Sequence, residues 1–155
     1  MDVYTELQSF MKGYVLYTTA PVQTPSSENA GADLVSAETW CGKVGEPAHL
    51  LDLGVKAMLV DINTKEPVHY WLVPRSSSYK TGHIMANTVG VIDSSYRGVL
   101  KAPVISVSDT AKGFTAGERY FQIIAPDMGQ ILRVIVVDEL PTSYRGEGGF
   151  GSTGK

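Results

Sequence analysis

The stretch from Arg145 to Gly154 holds five glycines between positions 146 and 154, together with Phe150, Ser152 and Thr153. Glycines such as Gly151 let successive backbone N–H groups converge on an anion without Cβ clashes. Ser152 and Thr153 add hydroxyl donors, and Arg145 can fork two hydrogen bonds onto one phosphate. That set matches a polyphosphate. Phe150 has no core to join locally, which suits it to stacking on the flat face of a base. By composition alone, the same stretch reads more readily as a flexible terminal linker.

Four further segments carry groups of the same kind. Pro74-Arg75-Ser76-Ser77-Ser78 follows the apolar run Tyr70–Val73, so a proline ends a strand and an arginine with three hydroxyls follows on a turn. The segment from Asn87 to Gly98 reads as a hairpin with its polar residues around the turn. Within it Asp93 follows Val91 and Ile92, a setting that partly desolvates a carboxylate and suits it to act as a general base on water. Asp33 follows Ala30-Gly31-Ala32, between a glycine turn and a strand, and Gly117-Glu118-Arg119-Tyr120-Phe121-Gln122 leads into another apolar run. Each of these, taken singly, is equally an ordinary polar turn or an Asp satisfying its own backbone.

The elements that must position these groups are short β-branched and aromatic runs separated by Gly, Pro, Ser and Asp. The pattern predicts strands over Tyr14–Thr19, Asp33–Trp40, Leu50–Leu59, His69–Val73, Val104–Val107, Tyr120–Ile124 and Ile131–Val137. The last is so apolar that both its faces are expected to be buried. Helical periodicity is confined to Tyr4–Lys12, ended by Gly13. Trp40 and Trp71 fall in predicted strands and are expected in the core. Regular short strands without intervening helices predict an all-β sandwich or jelly-roll barrel. Residues 1–140 are expected to form one domain, with 141–155 expected to be a mobile arm belonging to it.

With 155 residues and 43% hydrophobic content, one ordinary core fits and a second domain does not. Thirteen Lys and Arg against sixteen Asp and Glu, a formal net charge of −3, argue against general affinity for nucleic acid. An anionic ligand must therefore meet a local site. No stretch approaches the apolar length of a membrane helix, so no membrane partner is expected. The single cysteine, Cys41, permits no internal disulfide and is expected to be a small apolar residue in an intracellular, soluble protein. His49, His69 and His83 lack metal-ligand spacing and are expected to be structural or solvent-facing.

In their order and spacing, the five segments resemble the five motifs of the trimeric dUTP pyrophosphatase (dUTPase) family. The resemblance runs from Ala30 to Gly154 and rests on Ala-Gly-x-Asp-Leu, Arg-Ser-Ser, Asn-x-x-Gly-x-Ile-Asp-x-x-Tyr-Arg-Gly, Gly-Glu-Arg-x-x-Gln and the Arg145–Gly154 tail. It implies a dUTPase-like jelly roll, or distorted β-barrel, assembled as a homotrimer with shared active sites. It also implies hydrolysis of dUTP to dUMP and pyrophosphate, which limits uracil in DNA and supplies dUMP for dTMP synthesis.

By the same resemblance, Asp93 activates the water that attacks the α-phosphorus. Asn87, Gly90, Val91 and Ile92 read the uracil, and Tyr96 packs against deoxyribose. Arg75, Ser76, Ser77 and Gln122 contact phosphates. Arg145, Ser152 and Thr153, with Gly151, hold the outer phosphates while Phe150 covers the base. Mg²⁺ is implied on the triphosphate oxygens, reached by Asp33 through water. Two alternatives use the same scaffold. One is a nucleotide-binding regulatory protein. The other is a dCTP deaminase, which would need a glutamate soon after Asp93, where Val99 and Leu100 stand.

Overall fold

Along the first strand Tyr14, Leu16 and Thr18 are each at most 2% exposed while Val15 and Tyr17 are half-buried, the period-two alternation of a sheet with one covered face. The computed structural model of the chain describes residues 13–143, so the helix expected over Tyr4–Lys12 lies outside them. Among these residues the strands are β1 Gly13–Thr18, β2 Ala32–Val35, β3 His49–Asp52, β4 Ala57–Asp61, β5 Pro67–Val68 and β6 Tyr70–Pro74. After a 3₁₀ turn at Ser78–Thr81 come β7 His83–Met85, β8 Gly90–Ile92, β9 Lys101–Ser106, β10 Arg119–Ile124 and β11 Gln130–Val136. No helix among the described residues is long and apolar enough to cross a membrane.

Three sheets result, in the orders β11-β1-β4-β5, β2-β10-β6-β8 and β3-β9-β7. Every strand pairing among the described residues is antiparallel except β1 with β11. Their inner faces share one core in which Leu16, Leu34, Leu51, Leu59, Leu72, Leu100, Val104, Ile123 and Ile131 are at most 1% exposed. The fold is thus the expected all-β jelly roll, in distorted form.

Several expectations need correcting. β11 is not buried on both faces: Ile131 is fully buried, but Leu132 and Val136 are each 52% exposed. It is an end strand of its sheet, with β1 as its neighbour, so its apolar run is covered on one side only. Trp71 is 38% exposed, because strand alternation turns Tyr70 and Leu72 into the core and Trp71 out of it. Trp40 is half-buried, stacked on the His49 ring at 4.1 Å. Cys41 is exposed.

The strand expected over Asp33–Trp40 stops at Val35, where the Ser36 hydroxyl donates to the Glu38 carbonyl at 2.6 Å. The run Leu50–Leu59 is divided between β3 and β4 by Gly54, whose φ of +66° a side chain would strain. The Asn87 segment is not a paired hairpin. Its arms β7 and β8 lie in different sheets, β7 against β9 and β8 against β6.

The core reading predicts that Leu72→Ala lowers unfolding free energy by about 3 kcal/mol. Val107→Ala, at a 54% exposed position, should change it by less than about 0.5 kcal/mol. Urea unfolding followed by tryptophan fluorescence measures both.

Candidate functional site

Three neighbouring strands bring four of the expected residues together. Asp33 on β2 pairs in register with Gln122 on β10, and Gln122 pairs on its other side with Val73 of β6. Arg75 follows directly, its backbone N–H donating to the Tyr120 carbonyl at 2.8 Å. The Arg75 guanidinium lies across the strand ends, with Nε 3.1 Å from Asp33 Oδ1 and Nη1 donating to the Arg119 carbonyl at 3.1 Å. Arg119 Nη1 lies 3.7 Å from Asp33 Oδ2. Gln122 Nε2 donates to the Pro74 carbonyl at 3.3 Å. A Cβ at Gly31 would fall on the Gln122 carboxamide, so a side chain there would displace that group.

Asp33, Arg75, Ser76, Arg119 and Gln122 line an open cavity of about 670 Å³. Two guanidinium groups against one carboxylate leave a surplus positive charge, and Arg forks suit phosphate oxygens. Arg119 was not among the expected site residues, although the Gly-Glu-Arg spacing placed it at the head of β10. Ser76 also borders a second cavity of about 380 Å³, lined by Ser78, Tyr79, Ile84, Met85 and Thr88. Ser77 lines neither. It precedes the 3₁₀ turn, and its carbonyl accepts from Lys80 N–H at 3.2 Å.

The second group sits on β8 and the turn after it. Thr88, at φ +69°, turns the chain after Asn87, and Gly90 enters β8 so close to β6 that a Cβ would lie 3.3 Å from the Leu72 carbonyl oxygen. Val91 points outward at 61% exposure, while Ile92 is buried. The Asp93 side chain is 43% exposed, more open to water than its apolar neighbours suggested. The Tyr96 ring is buried with its hydroxyl donating to the Val99 carbonyl at 2.9 Å. It lies so close to Gly98 that any Cβ there would collide with the phenol, which explains glycine after Tyr-Arg. Behind it, burial foremost raises the Tyr70 hydroxyl far above the usual phenol range, so it stays protonated.

Arg97, also buried, ties this turn to the root of the C-terminal segment. Its Nη1 donates to the carbonyls of Ser94 at 2.7 Å and Tyr96 at 3.1 Å, and its Nε to that of Pro141 at 2.8 Å. The Ser143 hydroxyl donates to the Ser95 carbonyl. Arg145, Phe150, Gly151, Ser152 and Thr153 lie outside the described residues.

These two groups do not meet within one chain. Tyr70 pairs with Ile92, so Asp93 stands opposite position 69, six residues along the strand direction from Arg75. At about 3.3 Å per residue, the separation along β6 is roughly 20 Å.

A family model described as dUTPase matches residues 18–154. The chain belongs to the dUTPase family. It is 31% identical over 150 residues to the deoxyuridine 5'-triphosphate nucleotidohydrolase of Burkholderia cenocepacia (strain HI2424), covering 96% of this chain and 92% of that one. The corresponding protein of Nautilia profundicola is 37% identical over 131 residues, covering 84% and 87%. The crystal structure of dUTPase from Streptococcus mutans superposes with a TM-score of 0.55 at 30% identity, over 66% of this chain and 81% of that one.

Membership of this family is consistent with a divalent-metal requirement. No group of three or more His, Cys, Asp or Glu that could hold a metal occurs among the described residues. Asp33 at the cavity wall, 24% exposed, fits an ion that keeps its waters and takes phosphate oxygens as its main ligands.

If the cation surplus of this cavity binds phosphate, Arg119→Ala weakens pyrophosphate binding by about tenfold, the loss of roughly one charge-assisted hydrogen bond. Isothermal titration calorimetry measures it, and Lys80→Ala, outside the cavity lining, is the matched control.

Proposed function

We propose that this chain hydrolyses dUTP to dUMP and pyrophosphate, as a homotrimer whose active sites each draw on more than one copy. The observation that carries the shared site is the roughly 20 Å between Asp93 and Arg75 along β6. A base and an arginine that both serve the same phosphate chain must come within a few ångströms of it. The Arg75 group of one copy and the Asp93 turn of another therefore make one site.

In that site Asp93 accepts a proton from a water whose oxygen attacks the α-phosphorus. The bond from that phosphorus to the bridging oxygen breaks, and pyrophosphate leaves. Arg75, Ser76, Gln122 and Arg119 hold phosphate oxygens, so the charge that develops on the leaving group meets preorganised donors. Mg²⁺ supplies further charge neutralisation and orientation when bound, with Asp33 reaching it through water. Asn87 and the main chain of Gly90, Val91 and Ile92 recognise the uracil edge. The buried Tyr96 ring, its hydroxyl fixed on Val99, gives deoxyribose a wall that a 2′-hydroxyl would strike. Arg145, Ser152, Thr153 and Gly151 hold the outer phosphates and Phe150 covers the base, while Arg97 and Ser143 fix the described chain that leads towards them.

The wild-type protein should release pyrophosphate from dUTP, and Asp93→Asn should lower kcat by about 10²- to 10⁴-fold without unfolding the chain. A coupled phosphate assay, with circular dichroism on both proteins, decides it. An inert wild type, or an Asp93→Asn variant as fast as the parent, removes the proposal.

A further inference from the structure

The turn that carries Asp93 is held from two sides, and one of the holding groups is a histidine. His69 lies between β5 and β6, where the chain passes from the first sheet to the second. Its Nδ1 accepts the Ser94 backbone N–H at 2.9 Å and lies 3.9 Å from Asp93 Oδ1. A ring nitrogen that accepts a hydrogen bond carries no proton, so this contact selects the neutral ring with its hydrogen on Nε2. From the other side, Arg97 Nη1 donates to the Ser94 carbonyl at 2.7 Å. The peptide groups before and after Ser94 are thereby both fixed, and with them the direction in which the Asp93 carboxylate leaves the backbone.

We propose that His69 is a positioning residue for Asp93, holding the base in place when neutral and disabling it when protonated. The inference rests on the reading of Asp93 as the base. A proton on Nδ1 removes the acceptor for Ser94 N–H and puts a cationic N–H 3.9 Å from Asp93 Oδ1. The imidazolium then closes the 3.9 Å gap, and the carboxylate, paired with a cation, becomes a weaker proton acceptor. Among the described residues of the same chain, Asp93 is the ionisable group shown facing the ring, and in the proposed shared site the Arg75 and Arg119 guanidinium groups of another copy approach the same carboxylate. The strand registers, continued by one or two residues, carry Met58 of β4 and Pro126 beyond β10 opposite His69, and neither titrates. Arg97 reaches this turn through the Ser94 carbonyl. In the single chain the ring side chain is 67% exposed.

Asparagine separates the two roles, since its Oδ1 can take the place of Nδ1 as an acceptor and cannot be protonated. At about pH 7.5, His69→Ala should lower kcat about tenfold with KM little changed, and His69→Asn should recover most of that loss. As the pH is lowered towards about 5, wild type should lose kcat before the His69→Asn variant does, placing the variant's acid limb at least about half a pH unit lower. Profiles of wild type and His69→Asn that superpose would overturn the proposal, as would a His69→Ala profile identical to wild type. Should His69→Ala fail to fold, ¹⁵N spectra of the wild-type imidazole provide the second test. A non-protonated Nδ1 at neutral pH is expected, and a protonated Nδ1 contradicts the geometry. Asp93→Asn run in parallel distinguishes the failures. If it keeps full activity, the underlying assignment of the base has failed; if it is inactive while the His69 profiles superpose, only the positioning role has.

Discussion

Strand β6 is the constraint on which the rest of this structure depends. Its pairing with β10 on one side and β8 on the other fixes where Gln122, Gly90, Val91 and Ile92 stand relative to Arg75 and His69 at its ends. Proline ends the strand, so Arg75 and Ser76 leave it towards Asp33 and Gln122. At its start, the same register sets His69 against Asp93. Neither neighbour could slip by one residue without turning Phe121 and Ile123 of β10, or Ile92 of β8, out of the core, because side chains alternate strictly across a strand. The hydrophobic core thereby enforces the spacing of the polar groups.

The electrostatic arrangement is local and modest in energy. Asp33 bridges Arg75 and Arg119 while all three remain partly open to water, and such pairs add at most about 1 kcal/mol to stability. Their value lies in placement. The carboxylate holds two guanidinium groups apart and facing the cavity, where a polyphosphate can take over their free donors. Close backbone approach does similar service at Gly31, Gly90 and Gly98, where a side chain would press on Gln122, Leu72 and Tyr96 respectively.

Much of this was legible in the sequence, for identifiable reasons. β6 and β10 announce themselves by alternation bounded by proline and glycine, and the five motifs fall in an order that marks the family. β7 and β8 are three residues each, too short for periodicity, and nothing local says that the Asn87 turn joins two sheets. The run Ile131–Val137 reads as doubly buried because apolar composition records that a face is covered without saying by what. Leu132 and Val136, exposed here, suit burial between copies of the chain. Size and apolarity place Trp71 in the core, whereas its position between the buried Tyr70 and Leu72 turns it outward. Nothing local marks what Arg119 and His69 touch, a carboxylate in one case and a backbone N–H in the other. Such roles depend on register, which becomes visible only once β10, β6 and β8 are paired.

Arg75 and Asp93 stand roughly 20 Å apart along β6, so the site proposed here needs more than one chain. The direct measurement is dUTP turnover by subunits mixed from two inactive variants, Arg75→Ala and Asp93→Asn, denatured together and refolded. If sites are shared, random assembly gives some of them an intact Arg75 from one subunit and an intact Asp93 from another. Activity should then return, up to about a quarter of wild type in an equal mixture. If every site were built within one chain, the mixture would stay as inactive as its components at every ratio, and the account would be contradicted.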